Sequence, residues 1–268
     1  MENKFILKFS NNIIEHLGVK LYQNKLTKVI SEYISNGWDA GANEIGVVVD
    51  YENKIIVITD DGIGMTDDEL RNKFLVIGRN RRKCNNHAKK KRLPMGRKGI
   101  GKLAGFGIAK QIDVISISES KKQVCWLRFD LDEIVHQEVE RGDVEYKPTV
   151  LMDNGDIEEL KIKLDTLSIV SKCNDNYYSH LIAKKSGTMI LLSKLTICRM
   201  PNKDKLSSSL ANCFATNLIY KDMTISLNGE KLLAKEKLPP LKNFMIGDIE
   251  NLKRDVIKIN GVDKEIKY

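Results

Sequence analysis

The chain has 268 residues, 44 of them Lys or Arg and 36 Asp or Glu, for a net charge of +8, and 42% are hydrophobic. This is a globular balance, with enough apolar material for one large domain or two ordinary ones. It excludes a helical membrane span, since no stretch approaches the about 18 consecutive apolar residues required, and MENKFILKFSNNIIEHLG lacks the layout of a secretory signal; a cytoplasmic protein with no membrane partner is expected.

The first predicted element is an amphipathic helix. Leu26, Val29, Ile30, Tyr33 and Ile34 recur at helical spacing, which sets a helix from about Gln23 to about Asp39, ended by Gly41. EIGVVVDYENKIIVITDDG then reads as a β-hairpin that releases Asp60 at the exit of its second strand. Thr66 and Glu69 have capping-box spacing and open a short helix that turns Leu70 and Phe74 inward. A long loop follows. Arg79, Arg81, Arg82, Lys83, Lys89, Lys90, Lys91, Arg92, Arg97, Lys98 and Lys102 crowd it, with no acidic residue among them.

Leu103 to Lys110 has a helical pattern, and QIDVISIS, CWLRFDL and TMILLSKL are strands. Leu131 to Tyr178 is polar and weakly patterned. LSSSLANCFATNL suggests a helix, and MTISLNGEKLL a hairpin around Asn228-Gly229. DVIKINGVDKEIKY repeats that hairpin logic around Asn260-Gly261; the chain ends inside its second strand, as a piece cut from a longer protein would. Cys84, Cys125, Cys173, Cys198 and Cys213 are scattered without a C-x-x-C pair, so neither zinc nor a disulfide is expected.

Three constellations carry chemistry. Glu32, Asn36 and Asp39 form one stripe beside the apolar face of the first helix. There a carboxylate can serve as a general base and an amide oxygen as a ligand for a hard cation. Asp60-Asp61-Gly62-Ile63-Gly64 puts a carboxylate at a sheet edge, with glycines that let backbone approach a planar ligand; a tight turn explains the same letters. GRKGIGKLAGFGIA, Gly96 to Ala109, resembles a phosphate loop. It is no Walker A motif, because Leu103 stands where Ser or Thr is needed, and no dinucleotide fingerprint, because a basic, proline-containing loop precedes it instead of a strand. Its glycines, ahead of a helical pattern, offer N–H groups to an anion.

The order of the three, E-x-x-x-N-x-x-D, then D-x-G-x-G, then G-x-x-G-x-G, resembles the GHKL superfamily of ATPases (gyrase, heat-shock chaperone, histidine kinase, MutL), in its hydrolysing MORC-, MutL- and chaperone-like branch. The likeness covers roughly Phe5 to Leu195. It implies an α/β two-layer sandwich of Bergerat type, a mixed sheet covered by helices, in residues 1–195, and the beginning of a transducer-like second domain in 196–268.

The resemblance also implies roles. Glu32 corresponds to the base that activates water, Asn36 to the Mg²⁺ ligand, Asp39 to an acid behind them, and Asp60 to the adenine-recognising carboxylate. Gly62, Gly64 and Met65 would lie beside the base. Gly96, Gly99, Ile100, Gly101, Lys102 and Leu103 would face the phosphates, Lys102 stabilising charge, and Thr188 would support Asp60. The basic block Arg79–Lys98 becomes a lid over ATP. Gly37 and Trp38 depart from the family pattern, and Lys194 and Lys205 are candidates for a lysine on the γ-phosphate. The implied partners are ATP or ADP and, through ATP-dependent closure, a second copy of the chain. Two other readings stay open: a nucleic-acid-binding module whose basic loop tracks a phosphate backbone with ATP as regulator, and a chaperone-like switch timed by slow turnover.

Overall fold

The computed structural model describes residues 7–9, 19–76, 94–96, 101–136, 144–166, 181–234, 254–259 and 262–267. They fall into two units, Met1–Ala234 and Lys235–Tyr268. The first is built on an eight-stranded mixed sheet. In chain order its elements are β1 (Leu7–Phe9), α1 (Leu26–Asp39), β2 (Glu44–Asp50), β3 (Ile55–Asp60), α2 (Asp67–Glu69), β4 (Ala109–Ile117), β5 (Val124–Asp130), α3 (Leu131–His136), β6 (Val144–Tyr146), β7 (Thr149–Gly155), α4 (Ile157–Thr166), β8 (Gly187–Leu195), α5 (Lys203–Cys213), α6 (Ala215–Ile219), β9 (Thr224–Leu227) and β10 (Glu230–Lys231). The sheet runs β10-β9-β2-β3-β8-β4-β5-β7, and β1 pairs with β6 separately. Neighbours in the large sheet are antiparallel except β2 and β9, which are parallel.

The core explains the layering. β3 is buried along its whole length: Ile56 and Ile58 join the cluster under α1, Ile55 and Val57 the cluster on the opposite face. A strand covered on both sides reads as a continuous apolar run, as IIVIT does. The larger cluster gathers Leu26, Val29, Ile30 and Ile34 of α1 with Leu206 and Leu210 of α5. On the other face Leu160 and Leu164 of α4, with Leu181, seal Ile115, Trp126, Met189 and Leu191.

Several boundaries differ from expectation. α1 begins at Leu26 because Asn24 takes a left-handed conformation, φ 55°, and its N–H donates to the Gly107 carbonyl at 3.2 Å. It ends at Asp39, before Gly41 at φ 79°, as expected. The capping box forms, and α2 runs on as a π-type turn, Leu70–Phe74, with Leu70 buried. Residues 101–107 form a tight 3-10 turn and not an α-helix from Leu103. The reason lies in packing. A methyl on Gly105 would sit 2.6 Å from the Tyr33 hydroxyl, and one on Gly107 2.5 Å from Tyr22. LSSSLANCFATNL splits into α5 and α6 at Phe214. β9 adds to β2, so the compact unit runs on to Ala234, past the boundary expected after Leu195. The second unit contains the antiparallel pair β11 (Arg254–Ile259) and β12 (Val262–Lys267). Among the described residues no helix is long and apolar enough to cross a membrane.

Candidate nucleotide site

α1 buries Leu26, Val29, Ile30, Tyr33, Ile34, Gly37 and Trp38. Glu32, Asn36 and Asp39 are left half-buried on one edge. Each end of that edge meets a loop. Asp39 Oδ1 accepts the Met95 N–H at 2.8 Å, and Oδ2 accepts the Gly96 N–H at 3.0 Å. Asp39 thus anchors the loop at Met95 and Gly96. Glu32 accepts the Tyr22 hydroxyl on Oε1 at 3.0 Å; a methyl built on Gly101 would lie 2.7 Å from Oε2.

Asp60 lies beneath the other end of α1. Gly37 permits the approach: a methyl there would stand 2.9 Å from Ile45 Cδ1 and 3.0 Å from Asp60 Cβ. Asp60 is only 8% exposed. Burial pushes its carboxyl up from 3.8 to about 7, opposed by N–H donors from Gly62 and Thr188 and assisted by the charge of Asp61. The adjacent aspartates divide their work. Asp61 Oδ1 accepts the N–H groups of Asn43 and Glu44, at 2.7 and 2.8 Å, and so serves the turn. Asp60 Oδ1 accepts the Gly62 N–H at 2.9 Å, which orients the carboxyl at the strand exit.

Sheet register sets Asp60, Thr188 and Ser116 side by side on three neighbouring strands. Ser116 belongs to none of the three sequence motifs. Its Oγ accepts the Met65 N–H at 2.9 Å, lies 3.1 Å from Thr188 Oγ1 and donates to the Gly187 carbonyl at 3.3 Å. The one signal for it in the sequence is a hydroxyl in phase with Ile112 and Val114, on the core face of an apolar strand. Gly64, at φ 61°, is pressed against the sheet: a methyl there would fall 1.9 Å from the Ile117 carbonyl oxygen.

The side chain of Leu103 is 3% exposed and packs in the core. The Lys102 ammonium caps the carbonyls of Phe74 and of Val76, the latter at 2.6 Å, and lies 5.4 Å from the centre of the Phe74 ring. Lys102 is held from behind as well. Tyr33 donates its hydroxyl to the Lys102 carbonyl at 3.3 Å and accepts the Gly105 N–H at 3.1 Å. Lys194 pairs with Asp130 at 2.9 Å. It sits six residues along β8 from Thr188, about 20 Å at strand rise, and Lys205 lies in the first turn of α5. Gly99, Ile100 and the basic block, apart from Lys102, lie outside the described residues.

A half-buried carboxylate and amide thus share one helix edge, with a buried carboxyl at a nearby strand exit and a glycine turn against the first carboxylate. Residues 24–156 match the family of histidine kinase-, DNA gyrase B- and HSP90-like ATPases. Residues 24–156 therefore form a domain of this GHKL superfamily of ATPases. The chain is similar to HgiDII of Herpetosiphon aurantiacus, a candidate type II restriction enzyme, with 39% identity over 44% of this chain and 19% of that one. The chaperone HtpG of Sulfurovum sp. is 24% identical over 56% of this chain and 23% of its own length. The mismatch-repair protein MutL of Rickettsia akari is 38% identical over 24% of this chain and 11% of its own. The matched stretches thus span less than a quarter of each relative. Among solved structures, the ATPase region of Saccharomyces cerevisiae topoisomerase II bound to ICRF-187 superposes with a TM-score of 0.44 at 15% identity, over 77% of this chain and 48% of that one.

Proposed function

We propose that the chain is the Mg²⁺-dependent ATPase module of a larger protein. Asp60 accepts the exocyclic amine of adenine, with Gly62, Gly64 and Met65 forming the adjoining wall and Thr188 and Ser116 holding the floor. Gly96 and the Gly101 turn line the phosphate end, where backbone N–H groups and the positive charge of Lys102 offset the triphosphate. Glu32 takes the proton of the attacking water. Asp39 stands behind Glu32 and Asn36 and holds the loop at Met95 and Gly96.

The donor set suits Mg²⁺. Asn36 supplies one neutral oxygen next to carboxylates, and Mg²⁺ is ordinarily held by few protein ligands together with phosphate oxygens and water. When bound, the ion neutralises charge developing on the phosphates.

The observation that carries this reading is the meeting of three distant segments: Asp60 under Gly37, Gly96 on Asp39, and Gly101 on Glu32. Calorimetry with Mg²⁺ and ATP tests it together with turnover. Binding should vanish in Asp60→Ala. In Glu32→Ala binding should persist while hydrolysis is lost; normal hydrolysis there removes Glu32 from the mechanism.

Closure of the basic segment over bound ATP and pairing of two copies complete the cycle in this reading. A transducer-like role for residues 196–268 belongs to the same reading, with β9 and β10 also extending the sheet. A second ligand, nucleic acid, is favoured by the eleven cations between Arg79 and Lys102 and by the similarity to a candidate restriction enzyme and a mismatch-repair protein.

A further inference from the structure

We infer that Tyr22 is a positioning residue for Glu32: its phenol holds one carboxylate oxygen so that the other is presented to the turn beginning at Gly101. The inference rests on the ATPase reading above and adds a residue to it.

The two oxygens of Glu32 have different neighbours. Oε1 receives the Tyr22 hydroxyl at 3.0 Å. Oε2 is the atom that a methyl on Gly101 would meet at 2.7 Å. A glutamate on a half-exposed helix edge otherwise samples several staggered rotamers. A donor fixed on one side selects among them.

Tyr22 is itself fixed. It is 2% exposed and precedes α1, with its carbonyl accepting the Lys25 N–H at 3.0 Å. Gly107 packs so closely on it that a methyl there would lie 2.5 Å from both the Tyr22 carbonyl carbon and Cβ. The Lys28 ammonium stands 5.1 Å from the ring centre. One turn, Gly101–Gly107, therefore seats the tyrosine at its far end and faces the glutamate at its near end. Burial first, and then the charge of Glu32, push the phenol well above its ordinary range, so it remains a donor at any working pH.

The step this arrangement serves is balanced without an added reagent. Water oxygen bonds to the γ-phosphorus as the bond from that phosphorus to the ADP oxygen breaks, and ADP leaves with the bonding pair. The water proton passes to Glu32 Oε2. Tyr22 keeps its own proton throughout. A base misaimed by about 1 Å can cost on the order of 100-fold in rate, so the phenol acts on kcat and leaves substrate binding alone.

The test is Tyr22→Phe in the full chain, with steady-state hydrolysis of Mg²⁺-ATP and calorimetric ATP binding. The expected result is a fall in kcat of about tenfold or more, with KM and the ATP Kd within about twofold of wild type. Introduced into Glu32→Ala and read by single turnover, the same substitution should produce no additional loss, since it acts only through that carboxylate. An unchanged kcat in Tyr22→Phe, in a preparation where Glu32→Ala abolishes hydrolysis, overturns the inference. So does a further loss in the Glu32→Ala background, which would assign Tyr22 a separate role. If Glu32→Ala hydrolyses ATP normally, the role of Glu32 fails first and that of Tyr22 falls with it.

Discussion

Glu32 and Gly101 meet across 69 residues of sequence, and the junction has no room for a side chain: a methyl on Gly101 would stand 2.7 Å from Glu32 Oε2. The absence of a Cβ at one residue fixes where the carboxylate of the other can lie. Gly101→Ala should therefore displace the base. Turnover is expected to drop about 100-fold, with ATP affinity within a few-fold and the melting temperature little changed. Stopped-assay kinetics beside calorimetry on the same preparation decide it, and a Gly101→Ala chain with wild-type kcat would separate Glu32 from the loop.

Asp60 makes the protein sensitive to pH in two opposite ways. Its carboxyl, raised to about 7 by burial, binds a proton in the folded chain that the unfolded chain gives up at about 3.8. Fold stability is thus greatest at the acidic end of that window and is lost as pH rises from about 4 to about 7. Melting temperature should fall on the order of 10 °C across it relative to Asp60→Asn, which has no such slope.

ATP binding runs the other way. The ionised form offers an acceptor to adenine, so affinity should weaken up to about tenfold per unit below pH 7, with a proton released on binding at neutral pH. Calorimetry in buffers of different ionisation enthalpy reads that proton. In Asp60→Asn the carbonyl oxygen would keep the Gly62 N–H and the amide would turn a donor towards the base. ATP affinity is expected to fall about 100-fold or more.

Asp39 holds Met95 and Gly96 by two charge-assisted bonds. Asp39→Ala should release both amides, speeding their hydrogen exchange about tenfold or more. The KM for ATP should rise while kcat at saturation holds. Exchange resolved to those two amides, with unchanged protection in β3, checks that the effect is local.

Gly64 tests the fold at the base-binding wall. At φ 61°, with the Ile117 carbonyl 1.9 Å from a built methyl, alanine cannot be seated without moving β4 or the loop. Gly64→Ala is expected to cost about 2 kcal/mol or more, a loss of about 5 °C or more in melting temperature. Wild-type stability in that variant would mean that the loop closes differently.

The nucleic-acid reading has its own measurement. Neutralising Lys89, Lys90, Lys91 and Arg92 together should flatten the dependence of DNA affinity on salt, by up to about 0.9 in log–log slope for each phosphate that these cations would otherwise neutralise. A slope identical to wild type would remove this segment from any role in holding DNA.

What the sequence makes legible follows its periodicities. α1, the β2–β3 hairpin and the capping box at Thr66 each carry a local signal, and their packing agrees with it. The Gly101 turn does not, because its helical spacing is overruled by Tyr22 and Tyr33, whose packing on Gly107 and Gly105 depends on tertiary closeness. β7 is hidden for another reason. Register shifts against β5 between Val124, Trp126 and Leu127 break the alternation that marks a strand. Ser116 and the clasp of Lys102 on Phe74 and Val76 involve partners 26 to 72 residues away, a distance at which pattern carries no information.

The parallel pairing of β9 on β2 has a practical consequence. A fragment stopped at Leu195 would lose the partners of Glu44 through Val47 and bare the backbone of an interior strand flanked by Ile45 and Val47. Such an uncovered rim recruits other chains. Expression of the ATPase region alone should therefore extend through Ala234, and shorter versions are expected to aggregate before any nucleotide can be offered to them.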